Sequence, residues 1–126
     1  MKKLLIVLLL VLTVSTGYSQ TQFRRNYSEV VLTQNDNITR KYSQNTVFFN
    51  YGNEAVIKIY LADGTVRYYE QISDREENST NGGMAFNGAM YQEIGKDLEI
   101  YVQLFEDRKY GFRVVFNNGD MIQFLE

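Results

Sequence analysis

The chain has no histidine, cysteine, tryptophan or proline in 126 residues. Without histidine it lacks the one side chain that titrates unperturbed near neutral pH, which is also the commonest metal ligand. Ser-His-Asp and Cys-His arrangements are excluded by composition, because their hydroxyl or thiol needs an imidazole to accept its proton. A lysine base would still serve a serine nucleophile, but no serine lies in a G-x-S-x-G turn and no Ser-x-x-Lys occurs. With no cysteine there is no disulfide framework and no thiol to carry a lipid, so stability must rest on burial and sheet hydrogen bonding.

What is present begins with an address. Lys2 and Lys3 precede an apolar stretch of eleven residues, 4–14, broken only by Thr13, after which Gly17 and Ser19 occupy the −3 and −1 positions of a cut before Gln20. Eleven helical residues cover roughly half of a ~30 Å hydrocarbon core, which favours a cleaved signal peptide over an anchor. The expectation is a secreted or periplasmic bacterial protein with no membrane anchor after cleavage. Residues 1–19 would then be signal peptide, and residues 20–126 a single β-domain. Removing Lys2 and Lys3 from 13 Lys+Arg leaves 11 against 15 Asp+Glu, a net charge of −4. That sign argues against nucleic acid and anionic membranes, which need clustered cations.

Period-two alternation, β-branched and aromatic residues, and Asp-Gly or Asn-Gly turns dominate from Glu29 onward, with no helical stripe. Residues 55–72 read as a hairpin around Asp63-Gly64, taken as a two-residue loop. That register pairs Leu61 with Val66, Ile59 with Tyr68, Ile57 with Glu70 and Ala55 with Ile72. Its other face pairs Tyr60 with Arg67, Lys58 with Tyr69 and Val56 with Gln71. Residues 110–125 read likewise around Asn118-Gly119, pairing Phe116 with Met121, Val114 with Gln123 and Phe112 with Leu125. Both faces of that hairpin are then apolar, which suggests a covered strand or a homo-oligomer contact through strands 110–125.

Upstream, an odd-length connection aligns Leu104 with Phe112, Val102 with Val114 and Ile100 with Phe116. Further strands are expected over residues 29–33, 38–42, 46–51 and 89–94. The fold class is therefore all-β: one antiparallel meander of eight or nine short strands, curled into a barrel or folded as a sandwich. Residues 73–88, polar and then glycine-rich, are expected to be a mobile loop that includes Ser73, Asp74, Glu76, Glu77, Asn81, Gly82 and Gly83.

The hairpin register points Glu70 to the apolar face beside Ile57 and Tyr68, where it would lie at a sheet margin or pair with an arginine such as Arg113. Paired carboxylates are the one acid–base route left to a hydrolase, by a glycosidase mechanism. Asp74, Glu76 and Glu77 lack the alternating spacing that wraps a chain around calcium, so no metal or other cofactor is expected. Three N-x-[ST] triplets, at Asn26, Asn37 and Asn78, matter only in a host that glycosylates them. Tyr60, Tyr69 and Tyr101 fall on the more polar strand faces, with Lys58, Arg67 and Arg113 in reach. Flat rings beside hydrogen-bonding side chains make a surface for a protein or a glycan.

The closing pattern L-x-I-x-V-x-L followed by G-F-R-V-V-F-N-N-G-D resembles small bacterial lipocalin-like secreted proteins over residues 46–126, although the G-x-W signature of lipocalins is absent. The resemblance implies a barrel that carries a small apolar ligand and assigns no site residue. The chain thus reads as a non-enzymatic binding or interaction domain. The alternatives are a lipocalin-like carrier and, behind it, a carboxylate-based glycoside hydrolase.

Overall fold

Alternating apolar and polar residues carry the chain through nine antiparallel strands in a computed structural model that describes residues 21–126. The expected leader and its cut between Ser19 and Gln20 lie outside the described residues. The strands are β1 (Phe23–Gln34), β2 (Asn37–Phe49), β3 (Val56–Tyr60), β4 (Val66–Gln71), β5 (Glu76–Ser79), β6 (Ala85–Glu93), β7 (Glu99–Phe105), β8 (Phe112–Phe116) and β9 (Met121–Leu125). Their order in the sheet is β4-β3-β2-β1-β9-β8-β7-β6-β5, and β4 also pairs with β6. Eight strands therefore close into a barrel, and β5 is an extra strand along the lower half of β6. Closure through β1–β9 and β4–β6 covers most of the edge that an open meander would expose, while the upper end of β2 and the outer side of β5 stay unpaired.

The interior is filled. Tyr27, Val47, Phe49, Ile57, Ile59, Tyr69, Ala89, Tyr91, Ile100, Val102, Phe112, Val114 and Phe124 form one buried cluster. Phe112 stacks on Phe124 at 4.6 Å, meets Phe49 edge-on at 5.3 Å and tilts against Tyr27 at 5.2 Å. These four rings tie β8 and β9 to β1 and β2. A side chain the size of phenylalanine contributes about 1.5–3 kcal/mol on burial, so this cluster outweighs any surface pair.

Two hairpins differ from expectation by one residue. In the structure Ile57 faces Tyr69, Lys58 faces Tyr68, Ile59 faces Arg67 and Tyr60 faces Val66. The loop holds three residues, 62–64, with the Leu61 amide donating to Thr65 O and the Gly64 amide donating to Leu61 O. Gly64 alone takes a positive φ, 88°, whereas a two-residue type I′ turn needs two in succession. The same turn recurs at residues 117–119, where Phe116 binds Asp120 and Gly119 has φ 92°. Phe112 therefore faces Phe124, and Val114 faces Ile122. Arg113, Val115, Met121 and Gln123 fall on the other side, so the two faces of this hairpin are not equally apolar.

The β7–β8 register is as expected, with Ile100 facing Phe116, Val102 facing Val114 and Leu104 facing Phe112. Residues 73–88 are not a single loop. Glu76–Ser79 pairs with β6 from Ala85 to Gly88, and residues 81–83 form a third copy of the three-residue turn. The segments expected at 29–33, 38–42 and 46–51 merge into one long hairpin, β1 and β2. It turns on Asn35 and Asp36, both at positive φ, with no glycine. A register shift between Tyr27 and Glu29 reverses the phase of β1, so that Tyr27 points inward below it and Val30 and Leu32 point inward above.

Candidate functional site

The upper mouth of the barrel is open on one side because β2 and β3 part company early. β3 is five residues long and pairs with β2 only at Thr46, Val47 and Phe48, whereas β2 runs on up to Asn37. Asn45 holds the strands at the parting point. Its side-chain amide donates to Ser43 O at 3.0 Å, and its Oδ1 accepts from the Ala62 amide at 3.1 Å. Asn45 is 3% exposed, so this is a satisfied buried amide that pins the β3–β4 turn to β2.

Above that pin lies a cavity of about 400 Å³. Val30, Leu32, Leu61, Ile122 and Phe124 give it an apolar floor and wall. Lys41 and Asp63 stand with Thr39 and Ser43 among its polar lining. Asp63 is committed to its own turn, accepting from the Thr65 amide at 2.8 Å, and the bonds to Thr65 hold its carboxyl below the usual range. Lys41 has no ion-pair partner among the described residues.

The six residues expected to form a binding face are distributed over three places. Lys58 and Tyr60 face outward on β3. Arg67 and Tyr69 face the opposite way, because the hairpin register is shifted. Tyr69 is a core residue, and its hydroxyl is pushed up chiefly by burial. Arg67 reaches Glu93 at 3.5 Å, as does Lys96. Tyr101 and Arg113 lie on β7 and β8, across the barrel wall. Tyr101 lies over Gly88, where a Cβ would fall 2.1 Å from its hydroxyl, and Arg113 donates to Gln103 Oε1 at 2.6 Å above the Phe105 ring.

Lys58 has the most specific surroundings of the six. Its ammonium lies 4.5 Å from the centre of the Tyr51 ring, 4.7 Å from Tyr60 and 5.3 Å from Tyr68, and it donates to the Tyr51 hydroxyl at 3.2 Å. The Tyr60 hydroxyl, with those of Tyr51 and Tyr68, holds the amine in its charged form above the usual lysine range. The three rings thus form a cation cage filled by the protein's own side chain. An amine that is both shielded and held protonated reacts slowly with acylating reagents. With limiting acetic anhydride at neutral pH, we expect Lys58 to be modified several-fold more slowly than Lys41 or Lys109, as read by peptide mass spectrometry. Equal rates would show that the cage does not persist in solution.

The buried carboxylate is Glu93 and not Glu70. Glu70 faces Val56 and Gln92 and is exposed. Glu93 continues the inward phase of Ala89 and Tyr91, is 4% exposed and takes Arg67 and Lys96 as ionic partners. Both cations stand 3.5 Å from its carboxylate oxygens, so the buried group is paired. Asp74, Glu76 and Glu77 lie on the β5 side, and no group of three or more acidic side chains able to hold a metal forms among the described residues. Sequence reasoning missed Lys41, Asn45 and Leu61 as site residues. The available signal was Asn45, a polar residue in phase with inward-facing Val47 and Phe49. The chain matches no protein-family model, no curated protein and no solved structure.

Proposed function

We propose that the protein is a non-catalytic binding protein, exported by residues 1–19, that holds a small amphiphile in the mouth of its barrel. The observation that carries this reading is the cavity of about 400 Å³ with an apolar floor and a lysine at its lip. Its size falls in the range that encloses drug-sized molecules, and few polar groups among apolar walls is the usual composition of such sites. The apolar body of the ligand would lie on Leu32, Leu61, Ile122 and Phe124, and an acidic head would face Lys41. The middle of the barrel is closed by the aromatic cluster, so the mouth is the place for a guest. This is the carrier reading, with the ligand moved from an enclosed interior to an open cup. The tyrosine-face reading loses support because Arg67 and Tyr69 do not share a surface with Tyr60 and Lys58.

The anionic apolar dye 1-anilinonaphthalene-8-sulfonate supplies a test. It is expected to bind saturably, one molecule per barrel, with fluorescence lost on unfolding. Leu32→Glu and Ile122→Glu, checked for fold by circular dichroism, should each weaken binding at least tenfold. Lys41→Glu should weaken it less and flatten its dependence on salt. Unchanged binding in folded Leu32→Glu and Ile122→Glu would overturn the assignment.

A further inference from the structure

Several strand edges lack a ladder partner among the described residues, the lower part of β1 among them, and two others are opposite in charge. The first is the upper edge of β2, residues 37–44, which extends past the end of β3 and carries Arg40 and Lys41. The second is the outer edge of β5, whose other side is taken by β6, and which carries Glu76 and Glu77. Every residue of β5 is exposed, and so are residues 37–42. Arg40 bonds Glu29 at 2.7 Å through one of its five donors, which leaves the rest available. Neither Glu76 nor Glu77 has an ion-pair partner among the described residues.

We propose that two copies of the chain pair through these edges, β2 of each against β5 of the other, about a twofold axis. Antiparallel pairing that sets Arg40 opposite Glu77 also sets Lys41 opposite Glu76, Thr39 opposite Asn78 and Ile38 opposite Ser79. Opposite charges in facing positions stabilise a strand pair, and like charges destabilise it. That rule disfavours β2 against β2 in the register that sets Arg40 of each copy opposite Lys41 of the other, and likewise β5 against β5 with Glu76 opposite Glu77.

The closure of the assembly follows from strand direction. β2 and β5 run the same way along the barrel, since β2, β4 and β5 are each antiparallel to their upward neighbours β1, β3 and β6. An antiparallel contact therefore requires an inverted partner. Inversion brings the partner's β2 to the first copy's β5 at the same time. The β2 edge is at the upper end of the barrel and the β5 edge at the lower end, so both contacts form together and the pair closes as a dimer. Within one chain the same two edges are kept apart by the length of the barrel.

Sedimentation of the purified protein at low ionic strength should show a reversible dimer that dissociates as salt is added. The double variants R40E/K41E and E76K/E77K should each be monomeric, with association weakened at least tenfold. Mixed one to one they should dimerise again, because the acidic β2 edge of one meets the basic β5 edge of the other. In the cysteine-free background, T39C and N78C in one chain should give a disulfide-linked dimer on mild oxidation, and each single variant should not. A protein that remains monomeric at its solubility limit, dimers that persist in both charge variants, or growth beyond the dimer would each overturn the proposal.

Discussion

Gly111→Ala is expected to lower the melting temperature by about 15 °C or more, or to prevent folding outright. Gly111 has φ 59° and ψ −128°, outside the small left-handed well that L residues tolerate. A Cβ built there falls 1.7 Å from the carbonyl oxygen of Phe124 and 3.3 Å from the Tyr27 ring. The first contact is with backbone, so no rotamer change relieves it, and β8 would have to move off β9 where their ladder begins. Backbone strain of this kind costs about 1–3 kcal/mol by itself. Displacing the aromatic cluster adds to it, and about 4 kcal/mol is a large part of the total of ~5–15 kcal/mol that holds such a domain. Gly119→Ala is the control, because Gly119 also has positive φ but nothing stands within 4 Å of its would-be Cβ. It should cost only about 1 kcal/mol. If thermal melts followed by circular dichroism gave equal losses for the two variants, the close approach of Gly111 to Phe124 would be disproved.

Phe112→Ala is expected to destabilise the barrel by about 3–5 kcal/mol. The ring is completely buried and contacts Phe124, Phe49 and Tyr27, three rings from three other strands. Its removal would leave a void that none of the three can fill without leaving its own partners, since Phe49 also stacks on Phe23 at 4.9 Å. Denaturant titration should show a lower midpoint with an unchanged slope. Phe116→Ala, at the half-buried end of the same strand, should cost clearly less. Equal losses would mean that the ring cluster does not concentrate the energy as its geometry indicates.

The strand pattern was readable because inward residues such as Val47, Phe49, Ile100 and Val102 alternate without interruption. Hairpin registers were not readable from Asp-Gly and Asn-Gly alone, since a glycine after Asp or Asn suits both a two-residue turn and a three-residue turn ending in a bulge. The discriminating fact lies in the partners. Arg67 and Tyr69 point inward because Glu93, across the β4–β6 ladder, supplies the arginine with a buried counter-ion, and that pairing is remote in sequence. The true two-residue turn, Asn35-Asp36, contains no glycine and so carried no signal. Residues 73–88 read as loop because Glu76–Ser79 is polar on both faces, as an exposed strand at the end of a sheet can be. The site was hidden for a related reason: the mouth exists because β3 is shorter than β2, and that difference in length leaves no mark on any single residue.

The pairing of β1 with β9 sets the order in which this molecule can assemble. Apart from β4–β6, the other ladders join strands next to each other in the chain, and such hairpins form on the microsecond scale. The β1–β9 ladder joins residues 88 to 96 positions apart, from Thr33–Met121 to Glu29–Leu125. Closing a loop of that length carries the largest entropy cost of any ladder in the barrel, so the seam forms late and sets the folding rate. Tyr27, Phe49, Phe112 and Phe124 lie across that seam. They are a clasp that grips only when the last strand arrives, and until then β1 is open along its whole β9 side.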